Sequence, residues 1–299
     1  MAVSRTDAVL LVVAVAAVST SAPLIREAAA PALAIAFWRN AMASAALVPA
    51  TRWRGSRTAG ARPDRRSWAL AALAGLLLGA HFAAWIPSLS FTTVSASVAL
   101  VTTQPVWAAL IAAVRGERLG RAGWFGIALA IGGALLITGV DVTTSSRALF
   151  GDVLALGGGA LAAAYVSVGH VARRRLTTTD YTAVCYSVAA AGLLVVSLAA
   201  HQRLTGYSAR TWLCLVAITV GPQLLGHSVF NRVVRTVGPT VVSVSIVAEL
   251  VGASLLAAWW FGESPPPATV PAAACIVAGV ILVVRSRVEP EEVVELATA

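Results

Sequence analysis

The sequence predicts an all-α integral membrane protein of ten transmembrane helices, arranged as two inverted five-helix repeats with both termini in the cytoplasm. Three observations lead to this fold class: the composition, the distribution of arginine and an internal repeat. Of the 299 residues, 58% are hydrophobic and only 12% are charged, whereas about 25% of the residues in a soluble domain are charged. Such a chain has too little polar surface for water, so membrane lipid is its expected solvent.

Apolar runs long enough to cross a bilayer recur along almost the whole chain. A helix needs about 20 apolar residues to span a hydrocarbon core of roughly 30 Å. Breaks at arginine, proline, glycine and polar clusters divide the chain into ten such runs, which predicts a multi-pass protein of the cell membrane. The predicted spans are residues 7–24, 31–50, 67–88, 93–114, 120–140, 151–171, 181–200, 210–231, 239–261 and 267–285.

The arginines set the predicted orientation. All 22 basic residues are arginine; with the N-terminus inside, 17 of them fall in loops predicted to be cytoplasmic, four in loops predicted to be external, and Arg39 within a span. Cytoplasmic loops of membrane proteins carry an excess of basic residues, so this asymmetry fixes the orientation. The net charge of +9 does not indicate a nucleic-acid partner, because the arginines are spread over short breaks instead of one folded face. The four external arginines are Arg26, Arg147, Arg203 and Arg210.

Landmarks of the first half recur in the second half at a nearly constant offset, which indicates a diverged duplication. Because each half holds five spans, the second half enters the membrane in the opposite sense. Inverted repeats are common in secondary transporters, whose substrate site lies near the midplane where the halves meet. The predicted division is a first repeat at 1–145, a second at 146–287 and a short cytoplasmic tail at 288–299. The paired landmarks are Gly79 with Gly221, Gln104 with Glu249 and Gly116 with Gly262, at offsets of 142, 145 and 146 residues.

Two of these stretches resemble a known family. The segments from Gln104 to Gly116-Glu117 and from Glu249 to Gly262-Glu263 are similar to the "EP…GE" stretch of the drug/metabolite transporter superfamily, in its ten-helix EamA-like branch. This chain departs from that pattern at Gln104, where the family often has Glu, and at Leu250, which replaces the following Pro. Residues 31–39, 151–152 and 164–165 also resemble the family. The resemblance implies a transporter, in particular an exporter, of small metabolites such as amino acids or related compounds.

Two ionisable residues fall near the middle of the predicted bilayer. At a rise of about 1.5 Å per residue, Arg39 lies about 12 Å beyond Pro31 and Glu249 about 15 Å beyond Pro239. A charge at this depth costs roughly 2.5–3.5 kcal/mol, so each side chain should face a cavity or a partner. Glu249 is predicted to exchange a proton or bind a substrate amine, and Arg39 to clamp a carboxylate or a phosphate. The structural alternative is that the two residues pair with each other or with other groups of the protein.

Polar and aromatic side chains mark two repeat-related helices. In the eighth predicted span, Gln223, His227 and Asn231 are four residues apart and therefore share one helix face. His81 and Trp85 have the same spacing in the third span. We expect these faces to form walls of one central cavity, in which the histidines bind ligand or protons. The alternative for each histidine is a hydrogen-bonded core residue.

The fourth span is predicted to be interrupted, whereas the fifth and tenth are continuous and apolar. Pro105 removes a backbone donor beside Gln104, which predicts a kink and a cavity at that point. The fifth and tenth spans are apolar almost throughout, and we assign them to scaffold or homodimer contacts. The pairs Gly75 with Gly79 and Gly132 with Gly133 are expected to allow close helix approach. Glu117 and Glu263 lie at span ends, where capping or pairing with arginine is favoured over a role in gating.

Other function classes find less support in the sequence. A membrane-embedded enzyme would need a nucleophile with a base, or metal ligands, and the chain contains neither H-E-x-x-H nor G-x-S-x-G. An acid/base pair of Glu249 with His227 is the remaining enzymatic alternative. The three cysteines have no metal-ligand spacing, so neither a metal nor another cofactor is predicted. A non-transporting membrane protein is the third class, and it would more naturally carry sizeable external loops.

Overall fold

The computed structural model describes residues 4–53, 63–116, 120–264 and 267–286, and all its regular elements are helices. Seven helical segments of this part are long and apolar enough to cross a membrane. Three further apolar helical segments are shorter, at 121–136, 245–261 and 269–285. The chain is therefore a multi-pass membrane protein. The helices are α1 (Arg5–Ser19), α2 (Ser21–Glu27), α3 (Ala32–Trp53), α4 (Arg65–Ser88), α5 (Val94–Val101), α6 (Gln104–Val114), α7 (Arg121–Thr144), α8 (Ser146–Ala172), α9 (Thr178–Ala199), α10 (Ala209–Ile218), a π-helix (Thr219–His227), α11 (Ser228–Phe261) and α12 (Thr269–Ser286).

Short polar side chains fix where several helices begin. The Asp64 carboxylate accepts hydrogen bonds from the hydroxyl and the backbone N–H of Ser67, at 2.6 and 2.8 Å, and so caps α4. The same bonds hold the pKa of the Asp64 carboxyl below its ordinary value. Thr93 caps α5 in the same way by accepting a bond from the backbone of Ala96. These caps satisfy N–H groups that a helix start would otherwise leave without partners.

The first and the fourth predicted spans are each built from two helices. The first span changes helix at Thr20, and the fourth is broken at Thr102 and Thr103, between α5 and α6. The predicted interruption of the fourth span therefore exists, but it lies at Thr102 and Thr103, before Gln104, instead of at Pro105. The physical reason is that Pro105 sits in the first turn of α6. A proline is favourable there, because the N–H that it lacks would have no helical partner.

The sequence predicts a break between the eighth and ninth spans, at residues 231–239. In the structure α11 instead continues through these residues as one helix. The path is nevertheless not one straight rod. Ion pairs join Arg26 to Glu263 and Glu27 to Arg210, so the start of α10 and the end of α11 lie at the same end of the bundle. A straight path between them would measure roughly 80 Å, so the chain reverses direction between these points.

We call this the Glu263 end of the bundle, and the opposite end, where Arg175 pairs with Asp64 at 3.3 Å, the Arg175 end. Glycine terminates two of the helices. Gly262 has a φ of 64° and ends α11 at the Glu263 end. Gly116 follows α6 with a φ of 88°. Both are in the left-handed conformation that glycine favours. The glycine of the repeated Gly-Glu motif therefore serves to end a helix in each half. Glu117 lies outside the described residues.

Close helix contacts join the two halves of the chain. A Cβ atom on Gly75 of α4 would lie 2.7 Å from the carbonyl oxygen of Cys185 in α9, and one on Gly133 of α7 would lie 2.6 Å from that of Ala272 in α12. Gly132, in contrast, has nothing within 4 Å of that position. The predicted close approach therefore holds for Gly75 and Gly133 but not for Gly132. Helices α7 and α12 pack on each other within the chain, which is the scaffold role; homodimer contacts stay a prediction.

Candidate functional site

Side chains of both halves surround one cavity of about 230 Å³ inside the bundle. It runs from Ser21 and Trp85, on the side of the Glu263 end, to Arg173 beside the Arg175 end. Six of the eight residues predicted from the sequence line it, namely His81, Trp85, Gln104, Gln223, His227 and Glu249.

The other two predicted residues have different positions. Arg39 is fully buried behind the cavity wall, where its Nε and Nη2 donate hydrogen bonds of 2.9 and 2.6 Å to Oε1 of Gln223. Its guanidinium carbon lies 4.2 Å from the ring centroid of Phe82. Arg39 also interacts electrostatically with Glu249, although no ion pair within 4.0 Å joins them among the described residues. The side chain of Asn231 lies outside the described part of the structure.

The first-half wall of the cavity is tied to the surrounding protein. Nδ1 of His81 is hydrogen-bonded to the carbonyl oxygen of Gly158 in α8 at 2.8 Å. The His81 ring stacks on Trp85, with centroids 5.8 Å apart and 13° between the planes. Gly158 allows this arrangement, since a Cβ there would lie 3.1 Å from Cβ of Trp85. The predicted shared face of His81 and Trp85 is therefore present on α4.

The second-half wall is formed in part by the π-helix. Pro222 has no N–H with which to bond the carbonyl four residues earlier, and its ring would collide with that carbonyl in an α-helix. The wider π turn removes this collision, and π-helices occur frequently at functional sites. Gln223 and His227 both line the cavity from this segment. The sequence pattern placed them on one face but gave no sign of the change in helix type.

The two ionisable residues of this wall have few attachments. The exposed side chain of His227 lines the cavity. Within the described part of the chain, the side chains of His227 and Glu249 make no hydrogen bond to another residue. Both side chains are therefore available to a molecule that enters the cavity.

Sequence reasoning missed an aromatic and basic part of the wall. Tyr165, Tyr181 and Tyr186 line the cavity together with Arg173, whose guanidinium lies 5.2 Å from the Tyr181 ring centroid. The rings of Tyr165 and Tyr181 stack at 6.5 Å with 20° between their planes. Tyr165 belongs to a stretch that resembles the family pattern. The tyrosines of α9 carried no comparable signal, because single aromatic residues are ordinary in an apolar span.

The Glu263 end of the bundle is bridged by charged groups. Arg26 pairs with Glu263, and its guanidinium lies 5.5 Å from the ring centroid of Phe261. Glu263 also accepts a bond of 3.4 Å from the backbone of Ser95. These contacts join α2 and α5 of the first half to the end of α11. The pairing of Glu263 with an arginine agrees with the structural role that its position at a span end favoured.

Comparison with known proteins identifies a family and a fold that are similar to those of this chain. The sequence model of the EamA-like transporter family matches the chain twice, over residues 6–139 and 149–285. A solved structure titled "Crystal structure of protein" is similar, with a TM-score of 0.65 and 19% sequence identity over 95% of this chain and 99% of that chain. At this identity the similarity concerns the fold alone. No curated protein matches the chain.

Proposed function

The chain belongs to the EamA-like transporter family, and we propose that it exports small metabolites such as amino acids or related compounds through the cavity between its two halves. In this proposal ten spans form two inverted repeats, with both termini and the Arg175 end in the cytoplasm. Members of this family are membrane transporters of small molecules, which argues against the alternative of a membrane-embedded enzyme.

The observation that carries the proposal is the cavity itself. It lies inside an apolar bundle, yet it is lined by Gln104, Gln223, His227 and Glu249. Uncompensated polar groups at membrane depth are costly and typically mark a substrate or ion pathway. The lining comes from both halves of the chain, as expected for a site at the interface of inverted repeats.

Alternating access is the mechanism that this arrangement supports. Ion pairs join the halves at both ends, but the pair of Arg175 with Asp64 is the more exposed one, and the cavity reaches Arg173 beside it. We propose that this is the conformation open toward the cytoplasm, and that release outside requires the Glu263 end to part. Rocking of the two halves about the cavity would then expose the site to each side in turn.

Within the site, we propose that Glu249 couples transport to protons or binds a substrate amine. Its carboxylate faces the cavity and makes no hydrogen bond to the described residues, so it can take up either partner. His81, Trp85, Gln104 and His227 are proposed to contact the substrate from the surrounding wall. Asn231 keeps its predicted place in this set as a proposal from the sequence alone.

Transport by the purified protein tests the function directly. Proteoliposomes would be loaded with radiolabelled amino acids, their amides and decarboxylated amines, and small amphiphiles, one at a time. We expect efflux of at least one compound well above that of protein-free vesicles, with a further increase under an imposed proton gradient. A panel in which no compound moves would contradict the proposal.

A further inference from the structure

Arg39 is a buried cation that only neutral groups hold at close range. Its guanidinium is bonded to the Gln223 amide and lies over the Phe82 ring. Its Nη1 is buried and has no hydrogen-bond partner among the described residues. Ion pairs in the described part of the chain lie at the two ends of the bundle and none includes Arg39. A charge held in this way retains a strong attraction for an anion.

The bonds to Gln223 have the geometry of anion recognition. Nε and Nη2 form one edge of the guanidinium, which is the edge that binds a carboxylate through two parallel hydrogen bonds. Here a single amide oxygen accepts both bonds. Oε1 of Gln223 therefore occupies the position that the oxygens of a carboxylate would take.

Gln223 also stands between Arg39 and the cavity. It lines the cavity, whereas Arg39 does not. Besides Arg39, its amide bonds Tyr186 and, at a long 3.4 Å from Nε2, Oδ1 of Asn40. All these partners are neutral except Arg39, so a carboxylate that reaches Arg39 competes with a neutral amide for a cation. A rotation of this one side chain would give the cavity access to the guanidinium.

We propose that Gln223 is an internal placeholder for a carboxylate of the transported molecule. The substrate carboxylate displaces the Gln223 amide and takes the Nε and Nη2 edge of Arg39, while the apolar part of the substrate packs against Phe82 and Trp85. A phosphate fits this site less well, since its second negative charge would face Glu249 in the same cavity. This inference rests on the proposed transport function and narrows its substrate class to carboxylates.

The substitution Gln223→Glu tests the proposal, because it attaches a carboxylate to the protein at the position assigned to that of the substrate. Binding would be followed by the thermal shift of the detergent-purified protein with 3-phenylpropionate, 3-phenylpropanamide, 3-phenylpropylamine and phenethyl phosphate, and with matched sets on indole and alkyl bodies. In the wild type we expect carboxylates to stabilise the protein more than the amides, amines or phosphates of the same body. Gln223→Glu should weaken carboxylate binding by roughly tenfold or more, since the attached group competes for Arg39.

Two further variants separate competition from damage. Gln223→Ala removes the placeholder, so carboxylates should bind as well as or better than in the wild type even if the unliganded protein melts earlier. A merely structural Gln223 would instead lower carboxylate binding in this variant. Gln202→Glu introduces the same change outside the cavity, and it should leave binding unchanged.

The remaining outcomes are equally decisive. Stabilisation by amines or amides alone, no effect of any carboxylate, or unchanged carboxylate binding in Gln223→Glu would each overturn the placeholder. A preference for phosphates would replace the carboxylate with another oxyanion and overturn the substrate class. Transport of amines or neutral compounds by proteoliposomes would leave the proposed function intact while this inference fails; a failure of all transport would remove both.

Discussion

The two walls of the cavity come from repeat-related helices but are built differently. On the first-half wall, His81 is bonded to Gly158 and stacked on Trp85, in an ordinary α-helix. On the second-half wall, His227 ends a π-helix, and its side chain, like that of Glu249, makes no hydrogen bond to the residues that the structure describes. The histidine of the first-half wall is held by protein contacts, whereas His227 and Glu249 of the second-half wall present their side chains to the cavity.

This difference indicates that the halves have separate tasks despite their common pattern. A duplication supplies two similar helix frames, but each copy then keeps or loses its polar groups independently. The pair of Gln104 and Glu249 illustrates this, since the first-half position is neutral and the second-half position is ionisable. We infer that the second half carries the group that changes its charge or partner during transport, and the first half supplies the fixed surface.

The largest effect is expected for Glu249→Gln. This change keeps the size of the side chain but removes its charge and its ability to exchange a proton. We expect the transport rate to fall at least several-fold and to lose its response to an imposed proton gradient. The measurement is initial efflux from proteoliposomes at a series of pH values, with Asp7→Asn as an acid-to-amide control at the exposed start of α1.

Unchanged activity together with an unchanged pH profile in Glu249→Gln would remove the coupling role. The helical fold would not be affected by that result. A lower rate with an intact response to the proton gradient would instead assign Glu249 to substrate binding. In either case another residue of the second half would have to carry the exchangeable charge.

Moving the carboxylate to the first half tests whether the walls are interchangeable. In the double variant Gln104→Glu with Glu249→Gln, the acid is placed at the repeat-related position, at the start of α6. Arg39 interacts electrostatically with Glu249. We expect that a carboxylate at position 104 does not restore this interaction. Transport should stay within about twofold of the Glu249→Gln single variant. Recovery of the wild-type rate in the same efflux assay would show that the walls are equivalent.

Much of the fold could be predicted from the sequence because lipid imposes a strong constraint. Apolar runs of spanning length reveal the helices directly, and small residues such as Gly75 and Gly133 mark close contacts. The polar residues of the cavity were also recognisable, since polar groups inside an apolar span are rare and need a reason. The number and orientation of the spans rest on the arginine distribution and stay predictions.

The features that escaped prediction depend on contacts between distant parts of the chain. The π-helix at Pro222 requires knowledge of how the neighbouring helices hold the widened turn, and a proline alone is also compatible with a simple kink. The burial of Arg39 behind Gln223 joins residues 184 positions apart. The pair of Arg26 with Glu263 spans 237 positions. Periodicity within one helix carries no information about such pairs.

The smallest effect, and the most specific one, is expected from a matched pair of histidine variants. His81→Ala removes a hydrogen bond to Gly158 and a stack on Trp85, so it should lower the free energy of unfolding by about 1–3 kcal/mol. His227→Ala removes no such bond and should leave the unfolding free energy nearly unchanged while it lowers transport. Thermal unfolding in detergent and proteoliposome efflux, measured on both variants, separate the two effects.

The comparison of the walls depends on the opposite behaviour of these two variants. Equal loss of stability would mean that His227 is also held by the protein, and the second wall would then be no more available than the first. A greater loss of transport in His81→Ala at unchanged stability would reverse the assignment. In that case the stacked pair of His81 and Trp85 would be the surface that moves with the substrate, and the π-helix would serve to position Gln223 alone.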